Sequence, residues 1–240
     1  MTTTPQRILA ATDFSDTANH AQRAALELAR GFGAQLHILH VQILLDDPHL
    51  DREQLSEIQR LLETAESHKK RALEAPADTR EVEVHTHLVR GLNAAEVISE
   101  TCGELDCDLI VMGTHGRRGL GHLFLGSVTE SVVRTAPAPV LTVRPDAPLP
   151  SDGVSRILVP HDFSVQSAEA VRHAGAWALA FGAEVTLYHV VEPVVYPEFY
   201  AVDLLPDEMR GRIKERSLEA LQKAADDLLP GVNAHVEVVV

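Results

Sequence analysis

Short apolar runs alternate along this chain with stretches in which apolar residues recur every three or four positions. The runs, rich in Val, Ile and Leu, predict buried strands, and the periodic stretches predict amphipathic helices. The predicted strands are Ile8–Ala11, Gln35–Val41, Glu81–Leu88, Leu109–Met112 and Val140–Val143, and the predicted helices are Thr17–Gly31, Asp51–Ala75, Ala94–Cys102 and Ser127–Thr135. Because parallel strands need crossover connections, this alternation predicts an α/β fold, a parallel five-stranded sheet with helices on both faces.

The pattern of the first strand and helix returns later in the chain. Arg7–Val41 aligns without gaps with Arg156–Val190, and 15 of the 35 positions are identical. A proline-rich stretch lies between the two copies and predicts a linker. The expected organisation is a complete domain at residues 1–145, a linker at 146–154 and a partial second domain at 155–240.

Composition and charge narrow the class of protein. With 45% hydrophobic and 23% charged residues, the chain is typical of a soluble globular protein with enough apolar material for a core. A formal net charge of −14 argues against nucleic acid or an anionic membrane as the main partner. No uninterrupted apolar run reaches the roughly 18 residues of a membrane span, and no signal peptide is recognisable, so we expect a cytoplasmic location.

Cysteines and histidines give no metal or redox motif. Cys102 and Cys107 are separated by four residues, which fits neither a redox pair nor paired zinc ligands, so buried free thiols are expected. Among the 13 histidines, His37, His85 and His87 lie in strand-like runs without a neighbouring carboxylate–cysteine cluster. We therefore expect no protein-bound metal site.

The residues that could form a binding site are concentrated after the fourth predicted strand. Gly113, Gly116, Gly119 and Gly121 predict a loop whose backbone can approach another group closely, unless they serve only a tight turn. The S-x-x-E sequence of Ser127–Glu130 is typical of a capping box and predicts that a helix begins at Ser127. A glycine loop that leads into a helix N-terminus offers unpaired N–H groups, and it therefore predicts an anion site.

Two common nucleotide motifs do not fit the loop. The glycine spacing from Gly121 to Gly126 is that of a P-loop, but Ser127 occupies the position of the phosphate-binding lysine, and the dinucleotide pattern G-x-G-x-x-G is absent. The remaining spacing, Gly113-x2-Gly116-x9-Gly126-Ser127, resembles the nucleotide-binding signature of the universal stress protein family.

This resemblance implies a fold that agrees with the predicted alternation, the Rossmann-like or adenine nucleotide alpha hydrolase-like fold. It also implies ATP, AMP or ADP as ligand, with Mg²⁺ accompanying the nucleotide. Asp13 would bond the ribose, and the Val41 backbone would contact the adenine edge. The phosphates would be held by Gly113, Gly116, Gly126, Ser127 and Val128. The full expected site comprises Ala11, Thr12, Asp13, Val41, Met112, Gly113, Gly116, Arg117, Gly126, Ser127, Val128 and Thr129.

Several of these residues have simpler alternatives. Asp13 could cap only the following helix, and Ser127 could serve only as an N-cap. Arg117 and Arg118 could be a solvated pair rather than phosphate ligands. No catalytic residue is assigned, because only His115 and Asp13 lie near the loop as candidate bases.

Three classes of function remain open at this point. The chain could be a nucleotide-binding protein of stress response or signalling, a slow ATPase or adenylate-handling enzyme, or an interaction protein that binds no nucleotide. The intact glycines weigh against the third class, and the missing lysine and carboxylate pair weigh against rapid turnover.

The second copy departs from the first. We expect a helix from about Pro206 to Leu229 and a strand at Val232–Val240, with no second glycine loop and hence no second phosphate site. The resemblance implies dimerisation through Val140–Val143. Because an exposed apolar edge strand has to be covered, we expect a homodimer paired through that strand.

Overall fold

A computed structural model describes residues 4–43, 81–114, 126–147, 153–191 and 207–239. The chain divides into two compact units, Pro5–Ser151 and Asp152–Val240, which are described separately. The helix expected at Asp51–Ala75 and the loop residues Gly116 and Arg117 lie outside the described residues.

The first unit is a parallel α/β sheet. Its strands are β1 (Arg7–Ala11), β2 (Gln35–Ile43), β3 (Val84–Gly91), β4 (Leu109–Gly113) and β5 (Val140–Val143), and its described helices are α1 (Asp16–Phe32), α2 (Ala94–Glu104) and α3 (Ser127–Thr135). The strands lie in the order β3-β2-β1-β4-β5, and every neighbouring pair is parallel. The predicted five-stranded fold is therefore confirmed.

Most predicted bounds differ from the observed ones by one or two residues, but β3 differs by more. The strand begins at Val84 rather than Glu81 and continues to Gly91. Its pairing with β2 sets this start, because the Leu36 N–H donates to the Glu83 carbonyl at 2.9 Å. The prediction of a strand in this region is confirmed, but the register with β2 decides where the strand begins.

Helices cover the sheet on both faces. α1 buries small side chains, among them Ala18, Ala21 and Ala25, which let the helix pack closely on the central strands. On the opposite face, Leu9 of β1 packs in a cluster with Ile98 of α2 and with residues of α3 and β4. The core therefore consists of two apolar layers separated by the sheet.

The ends of α1 follow from two residues of the sequence. The Ser15 hydroxyl accepts a hydrogen bond from the Ala18 N–H at 3.2 Å and caps the first turn. Gly33 ends the helix in the left-handed region at φ 66°, where a side chain would be strained. The turn at Gly33 then leads directly into β2.

The second unit repeats the beginning of the first. Its described elements are β6 (Arg156–Pro160), α4 (Val165–Phe181), β7 (Glu184–Val190), α5 (Asp207–Leu228) and β8 (Ala234–Val239). The three strands are parallel and lie in the order β6-β7-β8. Ser164 caps α4 and Gly182 ends it at φ 68°, as Ser15 and Gly33 do for α1. The tandem repeat is confirmed at the level of backbone geometry.

The two cysteines are buried and free, as the sequence predicted. Burial is the main cause that raises the pKa of Cys102 to about 11 and that of Cys107 to about 12. At neutral pH both are therefore protonated thiols inside the core. In the described parts of the chain, no helix combines the length and the apolar character needed to cross a membrane.

Candidate functional site

The winding of the sheet reverses at the carboxyl ends of β1 and β4. From β1 the chain winds through β2 to β3 on one side, and β4 and β5 then lie on the other side of β1. In sheets of this kind the point where the winding reverses is the usual place for a ligand. At this edge lie the end of β1 with Ala11–Asp13, the end of β4 with Met112–Gly113, and the start of α3 with Gly126–Thr129. Most of the predicted site is therefore brought to one edge of the sheet.

A short hydrogen-bonded turn connects β1 to α1. The Thr12 hydroxyl accepts from the Phe14 N–H at 3.1 Å, and Asp13 Oδ1 accepts from the Ser15 N–H at 3.0 Å. Ser15 rather than Asp13 is the N-cap of α1. The half-buried Asp13 carboxylate instead accepts from the N–H of that capping residue, in the turn that precedes the helix.

The backbone of Val41 lies beyond the end of β1. Pairing between β1 and β2 runs from Arg7 with Gln35 to Ala11 with Leu39, and the Thr12 N–H then donates to the Leu39 carbonyl at 2.9 Å. Backbone groups of alternate residues point to the same side of a strand. The amide and carbonyl of Val41 therefore point to the side where β1 has ended. This placement suits a hydrogen-bonding edge for a planar base.

The end of β4 lies against the first turn of α1. A Cβ added to Gly113 would lie 2.8 Å from Thr17 Cγ2 and 3.2 Å from the Thr17 backbone. Glycine is required here by this close approach rather than by a positive φ. The buried Thr129 hydroxyl donates to the Gly113 carbonyl at 2.9 Å and ties α3 to the same point.

Two hydrogen bonds define the base of the glycine loop. The Gly126 N–H donates to the Thr114 carbonyl at 2.7 Å, and the Thr114 N–H donates to the Val143 carbonyl at 3.0 Å. Residues 115–125, with Gly116 and Arg117, lie outside the described residues. The described residues on either side of them meet at the carboxyl edge of β4.

α3 begins at Ser127, as the sequence predicts, but its cap differs from the prediction. Gly126 is the N-cap and Ser127 is the first helical residue, so the prediction of a capping box formed by Ser127 and Glu130 is wrong. Gly126 is extended at φ −62° and ψ 151° and brings no side-chain cap, and the Glu130 carboxylate pairs with Arg134 at 3.0 Å instead. Gly126 itself therefore gives the first-turn N–H groups of α3 no side-chain cap, and these groups lie at the end of a helix dipole that favours anions.

The family assignment follows from comparison of the whole chain. A family model described as "Universal stress protein family" matches residues 4–144 and 153–240. The chain belongs to the universal stress protein family. Both units of the tandem repeat are covered by this match.

Known universal stress proteins match mainly the first unit. Universal stress protein MJ0531 of Methanocaldococcus jannaschii is 33% identical over 140 residues, which are 58% of this chain and 82% of that protein. A Thermus aquaticus relative, "Universal stress protein in QAH/OAS sulfhydrylase 3'region", is 38% identical over 141 residues, 57% of this chain and 97% of the relative.

Two solved structures show the fold. Universal stress protein UspA from Lactobacillus plantarum has a TM-score of 0.50 at 28% identity and covers 58% of this chain and 97% of its own. A universal stress protein from Archaeoglobus fulgidus DSM 4304 has a TM-score of 0.67 at 19% identity, covering 97% of this chain and 76% of its own. The second likeness extends over both repeats of this universal stress protein and concerns the fold alone.

The sequence prediction missed three residues beside the site of this universal stress protein. Arg90, at the end of β3, donates from Nε to the buried Gln42 Oε1 at 2.9 Å and lies one residue from the strand partner of Val41. Phe14 and the buried His40 pack together next to Asp13, with ring centroids 4.5 Å apart. A signal for the last two was present, because both recur in the repeat as Phe163 and His189.

Within the described ranges, no group of three or more His, Cys, Asp or Glu side chains is arranged to hold a metal ion.

Proposed function

We propose that the first unit of this universal stress protein binds an adenine nucleotide in the cytoplasm. In this proposal, nucleotide occupancy acts in stress response or signalling by changing the conformation or the partner binding of the protein. The observation that carries the proposal is that a carboxylate turn after β1 and a helix N-terminus capped by glycine, which has no side chain, lie on either side of the switch point.

Each part of an adenine nucleotide has a matching group in this arrangement. Asp13 would accept hydrogen bonds from the ribose hydroxyls, and the Val41 backbone would bond the adenine edge. The phosphates would lie at the N-terminus of α3, where N–H groups and the helix dipole favour negative charge. The residues proposed around the phosphates are Met112, Gly113, Gly116, Arg117, Gly126, Ser127, Val128 and Thr129, with Ala11 and Thr12 beside Asp13.

Mg²⁺ is proposed to arrive with the nucleotide. This ion keeps several waters and commonly binds through substrate phosphates rather than through a cage of protein ligands. A carboxylate such as Asp13 at this edge of the sheet would be compatible with a hydrated ion. Calorimetric titration with ATP, with and without Mg²⁺, measures this contribution directly.

Chromatography of the nucleotide released from purified, denatured protein tests the proposal. We expect an adenine nucleotide at no more than one equivalent per chain, and calorimetry on nucleotide-free protein should show ATP binding with the same stoichiometry. No released nucleotide together with no calorimetric binding of ATP, ADP or AMP would overturn the proposed function.

The repeat supplies a matched control for the ribose contact. Asp13→Asn keeps Oδ1 as acceptor for the Ser15 N–H but removes the charge, so the turn is retained while a charge-assisted bond of about 1.5–3 kcal/mol is weakened. We expect ATP affinity to fall about tenfold or more. Asp162→Asn makes the same change in the second unit, where Asp162 accepts from Ser164 at 2.9 Å, and it should leave affinity unchanged.

We also propose that the protein is a homodimer through β5. β5 is an edge strand of the five-stranded sheet, paired with β4 on one side. Unpaired edge strands are templates for pairing with a second chain, and two-fold pairing of identical strands closes the assembly.

A further inference from the structure

The turn that carries Asp13 contains a strained residue. Phe14 has φ 64°, in the left-handed region that bulky side chains rarely adopt. Such strain persists only where the surroundings over-determine the backbone, and it is concentrated at functional sites. Two local bonds, from Phe14 N–H to Thr12 Oγ1 and from Ser15 N–H to Asp13 Oδ1, are part of what holds the turn.

His40 holds the same turn from β2. Its Nδ1 lies 2.7 Å from the Thr12 carbonyl oxygen, and because a carbonyl can only accept, Nδ1 carries the proton of this bond. Its ring packs at 4.5 Å and 51° against the Phe14 ring. His40 is buried. Its hydrogen bond holds the carbonyl of Thr12, which precedes Asp13, and its ring holds the side chain of Phe14, which follows Asp13.

The second unit repeats this arrangement with a different neighbour. His189 Nδ1 lies 2.7 Å from the His161 carbonyl, and the ring centroids of Phe163 and His189 are 4.6 Å apart, with Phe163 at φ 63°. Thr12 of the first unit is replaced by His161, whose Nδ1 accepts from the Phe163 N–H at 3.0 Å. The geometry survives this substitution because His161 accepts from the phenylalanine N–H as Thr12 does in the first unit, while the histidine of β7 and the phenylalanine are retained.

We propose that His40 is a positioning residue for the nucleotide site. By donating to the Thr12 carbonyl and packing on Phe14, it sets the backbone on both sides of Asp13 and thereby directs the carboxylate toward the ribose hydroxyls. The inference rests on the proposed function, because it assigns His40 a role in the same site. It requires no contact between His40 and the nucleotide.

Two substitutions separate the hydrogen bond from the ring packing. His40→Phe keeps an aromatic ring against Phe14 but removes the Nδ1 donor. His40→Asn places an amide donor near the position of Nδ1 but removes the ring. If the hydrogen-bond donor positions Asp13, His40→Asn should retain most of the ATP affinity that His40→Phe loses.

The readout is discrimination between ATP and 2′,3′-dideoxy-ATP, which lacks the ribose hydroxyls. We expect wild-type protein to bind ATP at least tenfold more tightly than the dideoxy nucleotide. His40→Phe should lower ATP affinity at least tenfold and dideoxy-ATP affinity less than threefold, so that the two affinities converge. A merely structural role would weaken both nucleotides equally or neither of them.

His189→Phe is the matched control, because it removes the same bond from the equivalent turn of the second unit. It should leave the ratio of the two affinities unchanged. If wild-type protein discriminates and His40→Phe keeps that ratio, or if His189→Phe changes it equally, the positioning role is wrong. Equal wild-type affinity for both nucleotides would also overturn it, whereas a wild-type protein that binds neither contradicts the proposed function itself. Should His40→Phe fail to fold, His40→Asn must still retain discrimination for the inference to stand.

Discussion

Leu9 and Leu158 occupy equivalent positions of the two repeats, yet Leu9 is 0% exposed and Leu158 is 65% exposed. β1 is paired with β2 and β4, and Leu9 packs in a cluster with α2 and α3. In the described part of the second unit, β6 is paired with β7 only. The same residue in the same local structure is therefore a core residue in one unit and a surface residue in the other.

This difference predicts unequal stability effects. Leu9→Ala should lower the free energy of unfolding of the first unit by about 2–5 kcal/mol, because it leaves a cavity in a packed core. Leu158→Ala should lower the free energy of unfolding of the second unit by less than about 0.5 kcal/mol. Circular dichroism during urea unfolding measures the loss of helix and strand in the whole chain. Fluorescence of Trp177, the single tryptophan, reports the unfolding of the second unit. Equal losses for both variants would contradict the burial difference.

Gly126→Val tests the phosphate end of the site. The backbone of Gly126, at φ −62° and ψ 151°, is accessible to valine, so the variant should fold. A branched side chain beside the N-terminus of α3 should block close approach of phosphate, and the loss of two charge-assisted bonds predicts at least about 100-fold weaker ATP binding. Gly103→Val is the control, since a Cβ there meets nothing within 4 Å. Unchanged calorimetric affinity in Gly126→Val would exclude this placement of the phosphates.

Any ATP hydrolysis by this protein should be slow. The loop has Ser127 where a P-loop has its lysine, and no carboxylate pair is recognisable beside it in the sequence. We expect turnover far below the ordinary enzymatic range of about 1–1,000 per second. Phosphate release by purified protein measures the rate. A steady rate near the lower end of that range, abolished in Asp13→Ala or His115→Ala, would show that a catalytic base is present.

Thr142→Pro tests the dimer interface. The Pro139 and Val143 carbonyls accept bonds from β4, so the backbone groups of Leu141 point to the same side and those of Thr142 point outward. Proline is tolerated on an edge strand when its missing N–H faced outward, so Thr142→Pro should keep the fold and lose the dimer. Thr142→Val keeps the N–H and should remain dimeric. Light scattering measures both, and a monomeric wild type or a dimeric Thr142→Pro would refute pairing through β5.

A histidine cluster predicts loss of stability in mild acid. His37 stacks on His85 and His87, with ring centroids 4.9 and 5.2 Å apart, and its Nδ1 lies 3.0 Å from His87 Nε2. Burial, followed by the neighbouring histidines, lowers the pKa of His37 below 6.5, and burial together with His85 lowers that of His87. The unfolded chain therefore binds more protons as pH falls below about 6.5, and the folded state loses stability in that range.

Urea unfolding between about pH 7.5 and pH 5 checks this sign. His87→Gln retains a hydrogen-bonding side chain beside His37 but does not titrate, so it should flatten the pH dependence. Stability that rises on acidification, or an unaltered slope in His87→Gln, would contradict the role of the cluster.

Local patterns in the sequence were sufficient for the fold. The alternation of apolar runs and periodic stretches and the repeat identified the order of elements, and the glycine spacing indicated the segment where a nucleotide is proposed to bind. These patterns were sufficient because the periodicity of strands and helices, and the turns at glycines, depend on residues close together in the sequence. The family and the tandem arrangement were also recognisable from the sequence.

The tertiary structure decided what depends on residues distant in sequence. The capping of α3 by Gly126 rather than Ser127 depends on where the loop returns to Thr114, and the start of β3 depends on its register with Leu36. His37 lies 48 residues before His85 in the chain, and only strand pairing places their rings together. The different burial of Leu9 and Leu158 likewise arises from elements packed against them, because burial is a property of the assembled layers rather than of a residue and its neighbours.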